Sequence, residues 1–320
     1  MKVLFVCHKS WWEWKCPPFW PEMFFALEKH PEVKIVRTGP RWGGWDEKAS
    51  LKQNIERLMP DADVVFMWRP FGIVEFGGFR GADERIDQLK VSAYQDSPVK
   101  GAIEAKNAGL DLLFYHDHWD RQFFQDCGVR SVYLPLAVNL DLFGEWGNNQ
   151  EGRSTPILLT GNTQQQTYPL RYRYERILRH KRGIQGRIRP MPGYRMKSLD
   201  HVMQEQKRYV RSLCNSRISI VTSCPHIPLT LRKYFESMAA GCVLVGDVPH
   251  SPPDDVKSCI NVVSMKMSDA ELVATANRLV NDPKECERQR QRNRKIAENY
   301  SYTEFAKRWV SAVKESLASR

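Results

Sequence analysis

Residues 229–246 read LTLRKYFESMAAGCVLVG, and this stretch narrows the fold more than any other. Residues 229–240 contain neither Pro nor Gly and suit a helix. Gly241 stops it, because glycine readily takes the left-handed conformation that closes helices. Residues 242–246 follow at once as an apolar strand, so helix and strand are joined with almost no loop. Alternation of that kind belongs to a parallel sheet covered by helices on both faces.

The same rhythm runs through the rest of the chain. Strands are expected at 2–7, 33–36, 64–68, 90–94, 110–115 and 131–134, then at 156–160 and 218–221. Ser97 before Pro98 is an N-cap with proline at the first helical position, and Gly109 and Gly128 close the helices that precede them. Further helices are expected at 169–180 and 199–213, with an irregular basic stretch over 180–197. Ser268 with Glu271, and Ser301 with Glu304, form two capping boxes, in which each side chain satisfies the other residue's free amide. The last helix, 302–317, carries Phe305, Trp309 and Val313 on one stripe and must dock on a core. No repeat, heptad array or low-complexity tract appears.

A chain of 320 residues exceeds what one hydrophobic core usually serves, so two α/β domains are expected. The Gly- and Asn-rich stretch 144–154 is the best linker, with a boundary near residue 150. The apolar runs are too short to cross a bilayer, and the N-terminal one runs into His8 and Lys9 without a cleavage site, so it reads as a core strand. The eight cysteines form no CxxC pair, which suits a reduced, cytoplasmic protein without zinc. Lysine and arginine outnumber the acids for a net charge of +11, which favours anionic partners: nucleotide phosphates, nucleic acid, acidic polysaccharide or a lipid surface.

The helix of the opening stretch begins where a strand and loop end, at the carboxyl edge of the sheet. Free amides and the positive end of the dipole make that edge an anion site, suited to a diphosphate. Arg232 and Lys233 sit in the first turn, where cations oppose the dipole, so a purely solvated role for both is unattractive. Glu236 lies one turn on. It serves either as an ion-pair partner of Lys233 or as an acceptor for ribose hydroxyls.

The phrase LRKYFESMAAGCVLVGDVP resembles the donor-binding signature of GT-B glycosyltransferases, and is similar in particular to the retaining group 1 and CgeB-like spore-maturation families. Other phrases match in order: DADVVFMWRP and LKVSAYQDSP, the VYLPLAVNLDLF exit from the first domain, ILLTGN opening the second, and NRKIAENYSYTEFAKRW near the end. The resemblance implies two Rossmann-like domains with parallel sheets facing a central cleft. Residues 1–150 would bind the acceptor, 151–300 the donor, and 301–320 would form a helix crossing back to the first domain. It implies transfer of a sugar from a nucleoside diphosphate, UDP favoured, to an acceptor hydroxyl, without a metal or other cofactor and with retention. The acceptor would be a glycan, a glycolipid or a nucleic acid.

Carried over by position, the resemblance gives Glu236 the donor ribose, Lys233 and Arg232 the diphosphate, and the Gly161-Asn162 loop a place over the phosphates. Thr230 and Leu231 join them at the amino end of the helix. Arg171 matches the basic residue facing the leaving diphosphate, but Arg173, Arg176 and Arg179 crowd the same helix and most must face water. Many retaining relatives carry a second glutamate near the transferred sugar. Here Pro228 stands at that position, with His226 and Thr230 as nearby polar substitutes.

In the first half, Asp96 either engages the acceptor hydroxyl as a base or joins Ser97 in capping a helix. His116 and His118 flank Asp117 after a strand and would share a face on extended chain, for substrate contact or packing. Trp11, Trp12, Trp14 and Trp20, with Trp42 and Trp45, either stack on sugars or bases or form a small aromatic core. Arg182, Arg187, Arg189 and Arg195 grip an anionic acceptor or are simply solvated. Three rivals stand beside the transferase: a nucleotide-sugar epimerase, a non-enzymatic nucleic-acid-binding protein, and a phage-type transferase acting on DNA bases. A dinucleotide dehydrogenase is disfavoured, because no GxGxxG follows the first strand.

Overall fold

The computed structural model describes residues 1–9, 26–68, 72–73, 76–94, 98–125, 128–147, 153–180, 183–190, 199–226 and 228–320. The chain divides into two compact units, Met1–Pro135 with Tyr194–Val202 and Phe305–Arg320, and Leu136–Gly193 with Met203–Glu304.

The first unit is built on β1 (Lys2–Val6), β2 (Lys34–Thr38), β3 (Val64–Met67), β6 (Leu89–Tyr94), β7 (Leu112–Tyr115) and β8 (Arg130–Tyr133), with a small antiparallel pair, β4 (Gly72–Ile73) and β5 (Phe76–Gly77), set apart. The six strands are parallel, in the order β2-β1-β3-β6-β7-β8. Residues of β3, β6 and β7 are buried throughout, as expected for central strands covered on both faces. The stripe foreseen on the last helix, Tyr302–Ala318, is buried. Trp309 lies 6.2 Å from the Phe66 ring and 6.0 Å from the Phe114 ring, so this helix completes the first unit's core.

The second unit holds β9 (Thr155–Thr160), β10 (Arg187–Arg189), β11 (Ser216–Val221), β12 (Val243–Gly246) and β13 (Ile260–Val262), all parallel in the order β10-β9-β11-β12-β13. Both sheets therefore reverse their winding beside their first strand, between β1 and β3 and between β9 and β11. At such a reversal two neighbouring loops part on opposite faces and open a crevice at the carboxyl edge, which is where α/β sheets bind ligands. Gly246 is required for the pairing of β11 with β12, since a Cβ there would stand 1.7 Å from the Val221 carbonyl oxygen.

Three local expectations change. The basic stretch after residue 180 contains β10, whose single apolar residue, Ile188, gives too little alternation to announce a strand. The 144–154 linker begins inside helix Leu140–Gly147, which belongs to the second unit, with Phe143 buried. The helix expected from residue 229 starts at Arg232, because buried Leu229 and Thr230 approach it as packed extended chain and Leu231 is the N-cap. The Ser268 capping box forms in full, and the Ser301 hydroxyl accepts from the Glu304 amide at 3.2 Å. Cys7, Cys214, Cys224, Cys242, Cys259 and Cys286 are free and buried. Among the described residues, no helix is long and apolar enough to cross a membrane, and no group of three or more His, Cys, Asp or Glu could hold a metal ion.

Candidate functional site

The carboxyl ends of β9 and β11 flank the winding reversal of the second unit, and two cations meet there. Arg171, one turn into helix Pro169–Arg179, is only 2% exposed. Its guanidinium donates from Nε to the Thr222 hydroxyl at 3.1 Å, and from its two terminal nitrogens to the carbonyls of Thr222 and Asn162 at 2.7 and 2.8 Å. The guanidinium also lies 3.9 Å from the centre of the Tyr168 ring. The other arginines of this helix go elsewhere: Arg173 to Asp269 and the carbonyls of Met265 and Met267, and Arg179 to Glu175. The crowding that made Arg171 ambiguous is thus resolved by helix phase, one arginine inward and its neighbours outward.

Lys233, in the first turn of helix Arg232–Ala239, donates from Nζ to the Thr160 carbonyl at 2.7 Å. Gly161 follows at φ +93°, a conformation that favours glycine. A Cβ at Gly161 would stand 1.7 Å from the Lys233 ammonium and 3.4 Å from an Arg171 nitrogen, so no more than about 5 Å separates the two cations. Burial, and then Arg171, push the Lys233 pKa well below its ordinary value, while Glu236 opposes the shift. Burial likewise lowers the Arg171 pKa. Asn162 shapes the loop beyond, its side-chain oxygen accepting from the Gln164 amide at 2.9 Å.

Glu236 is buried a turn deeper, at 4% exposure. Its Oε2 accepts from the Tyr209 hydroxyl at 2.7 Å, and its Oε1 lies 3.1 Å from Arg232 Nε. The ion pair is therefore made with Arg232, four residues back, rather than with Lys233, whose side chain turns the other way to Thr160. Arg232 also donates to the Tyr302 hydroxyl at 2.9 Å. Burial and the Glu236 carboxylate raise the Tyr209 pKa well above its ordinary value.

The far end of this helix and the turn after it are fastened by two arginines and an asparagine. Arg153 donates to the carbonyls of Ala240 and Ser216, Arg290 to that of Gly241, and Asn293 to that of Cys242. Positive charge at a helix carboxyl end complements the dipole, so the element carrying Lys233 and Glu236 is held rigidly. Beside it, Asp247 at the end of β12 accepts from the Ser223 amide and hydroxyl and from the Tyr234 hydroxyl, tying two strand ends together.

The structure thus gathers Gly161, Asn162, Arg171, Arg232, Lys233 and Glu236, with Thr230 and Leu231 at the helix start. His226 is exposed on the loop after β11. In the first unit the two histidines part: residues 118–120 coil into a 3-10 turn, so the shared face of an extended segment is lost. His116 is buried with Nδ1 2.6 Å from the Leu134 carbonyl, and burial lowers its pKa to about 4. His118 is exposed and stacks on Tyr133, ring centres 3.8 Å apart. Trp42 donates to the Cys7 carbonyl and Trp45 packs on Phe79, which is the aromatic-core alternative. Asp96, Trp11, Trp12, Trp14, Trp20, Arg182 and Arg195 lie outside the described residues. Arg189 pairs with Glu205 at 2.8 Å. Sequence reading missed Tyr209, Thr222 and Tyr302, whose positions follow from packing; Asp247, directly after the Gly246 that ends β12, was within reach as a carboxylate at a strand end.

No protein-family model matches the sequence, and no curated protein matches it. Solved structures do share the fold. A sucrose-phosphate synthase from Thermosynechococcus elongatus matches with a TM-score of 0.63 at 9% identity over 100% of both chains. The trehalose-6-phosphate synthase OtsA matches at 0.64 and 11% identity, over 98% of this chain and 99% of that one. A glycosyltransferase from Rickettsia africae ESF-5 matches at 0.62 and 11% identity, over 99% and 98%. The chain has the GT-B fold of these glycosyltransferases.

Proposed function

We propose that the second unit binds a nucleoside-diphosphate sugar and that the protein transfers the sugar to an acceptor hydroxyl. The observation that carries this reading is the pair of cations, Arg171 and Lys233, converging on Gly161 at the winding reversal. Their hydrogen bonds among the described residues all end on neutral oxygens. Two partly repelling cations in a desolvated position are costly unless an anion joins them. A diphosphate supplies that anion, and the Gly161 backbone allows its close approach.

In this reading Glu236 takes the ribose. A carboxylate offers about four acceptor sites, so those facing Tyr209 and Arg232 leave others for a diol. Arg171 and Lys233 stabilise the negative charge that grows on the leaving diphosphate as the glycosidic bond breaks. That is the service a divalent metal would give, and we place the reaction among the metal-independent, retaining transfers. A structure of trehalose-6-phosphate synthase related in fold is described with UDP-2-fluoro glucose bound, which makes UDP-sugars the first donors to test. The excess of basic residues favours an anionic acceptor, a glycan, glycolipid or nucleic acid. The buried free thiols support a reducing, cytoplasmic setting.

The test is a thermal-shift panel of UDP-, GDP-, ADP- and CDP-sugars, since a ligand that binds the native state raises its melting temperature. One donor should stabilise the wild-type protein and fail to stabilise Glu236→Ala. If no member of the panel shifts the wild type, or if Glu236→Ala responds as the wild type does, the donor-site assignment is wrong. With the active donor found, the anomeric configuration of the product by NMR decides retention, and turnover in excess EDTA decides the need for a metal.

A further inference from the structure

We infer that Arg232 is a positioning residue for the ribose and not a phosphate ligand: it acts through Glu236, and the diphosphate is left to Lys233 and Arg171. The inference rests on the donor-site reading above and divides the labour within it.

Two adjacent cations open the same helix, and sequence alone assigns both to phosphate. The side chains diverge. Lys233 reaches to the Thr160 carbonyl and lies over Gly161, beside Arg171. Arg232 turns along its own helix to Glu236 Oε1 at 3.1 Å, and its other end donates to the Tyr302 hydroxyl at 2.9 Å. The Tyr302 ring lies 5.9 Å from the guanidinium carbon, adding a cation–π contact to that hold. Arg232 is thus fixed at two points, and its side chain is only 12% exposed.

Glu236 is in turn held from both sides. Tyr209, on helix Leu199–Cys214, hydrogen-bonds Oε2 at 2.7 Å, while Arg232 Nε is ion-paired with Oε1 at 3.1 Å. Fixing both oxygens fixes the plane of the carboxylate. A planar acceptor of set orientation can take both hydroxyls of a vicinal diol at once, whereas a carboxylate free to rotate would lose much of that gain to ordering.

The test compares two ligands of one base: the nucleoside diphosphate that binds best among UDP, GDP, ADP and CDP, and its 2′,3′-dideoxy analogue. Affinities are measured by isothermal titration calorimetry for wild type, Arg232→Gln, Tyr209→Phe and Lys233→Gln. Arg232→Gln should weaken the ribonucleotide about tenfold or more, the scale of a lost charge-assisted contact, and leave the dideoxy analogue near its wild-type affinity. Tyr209→Phe should show the same pattern in smaller degree, and serves alone if Arg232→Gln does not fold. Lys233→Gln should weaken both ligands by the same factor. If Arg232→Gln, or failing it Tyr209→Phe, weakens both ligands equally or neither, the division of labour is overturned while the donor site stands. If none of the four diphosphates binds the wild type, both fall together.

Discussion

Replacing Lys233 by methionine separates the two demands on this site, because the charge we propose to hold a diphosphate burdens the empty protein. The ammonium lies no more than about 5 Å from the Arg171 guanidinium, and at the effective dielectric of about 20 that suits protein sites this repulsion is about 3 kcal/mol. Desolvation adds to it, in keeping with the strong downward push on the Lys233 pKa. Against this stands one charged hydrogen bond to the Thr160 carbonyl, worth about 1.5–3 kcal/mol. The opposing effects are similar in size, so Lys233→Met should leave the melting temperature of the unliganded protein within about 3 °C of wild type or raise it. Binding should suffer far more. Losing one cation from a paired phosphate contact costs about 2–4 kcal/mol, or a Kd weakened about 30-fold or more. Differential scanning fluorimetry and calorimetric titration with the best nucleoside diphosphate read the two effects on one sample. A fall of more than about 5 °C without ligand would refute the repulsion argument, and undiminished affinity would refute the phosphate assignment.

Other outcomes follow from the same geometry. Arg171→Met relieves the same repulsion of about 3 kcal/mol but loses three charged hydrogen bonds, about 1.5–3 kcal/mol each, so it should still lower stability by a few kcal/mol in urea unfolding, in contrast to Lys233→Met. Gly161→Ala puts a methyl where the Lys233 ammonium lies, at a positive φ that costs about 1–2 kcal/mol, so it should lower the melting temperature modestly and abolish the nucleotide-induced shift. Lys233 titrates below its unfolded value, so anion binding raises its pKa in the bound state and takes up a proton where it is partly neutral; at alkaline pH the binding enthalpy should vary with the ionisation enthalpy of the buffer, and affinity should fall as pH rises. His116 has a folded pKa of about 4 against about 6.5 unfolded, so the unfolded chain binds the extra proton between those values, and stability should fall by up to about 3 kcal/mol as pH drops from 6.5 to 4. His116→Asn should flatten that part of the profile in urea titrations at pH 7 and pH 5.

What the sequence disclosed and what it hid follow one physical division. Patterns with a short period survive in a single chain: the apolar runs of β1, β3, β6, β11 and β12, the glycine that ends a helix, the Ser268 capping box. β10 escaped because a strand of three residues with arginines at both ends is specified by its neighbour β9 rather than by its own alternation. The site divides in the same way. Gly161, Arg171, Lys233 and Glu236 were singled out because the phrases around them resemble a donor-binding signature, and the structure brings Gly161, Arg171 and Lys233 together with Glu236 one turn deeper in the Lys233 helix. Tyr209 was not, since nothing in its own helix distinguishes it; its meaning comes from Glu236, which lies 27 residues away and faces it across the fold. Arg232 is the instructive case. At the level of sequence it equals Lys233, a cation in a first turn, and only side-chain direction separates them. A residue at N1 that can reach forward along its own helix finds a carboxylate four positions on, while its neighbour, rotated by about 100°, faces the glycine loop. That angle turns two equivalent charges into one group that braces Glu236 and one that lies over the Gly161 loop.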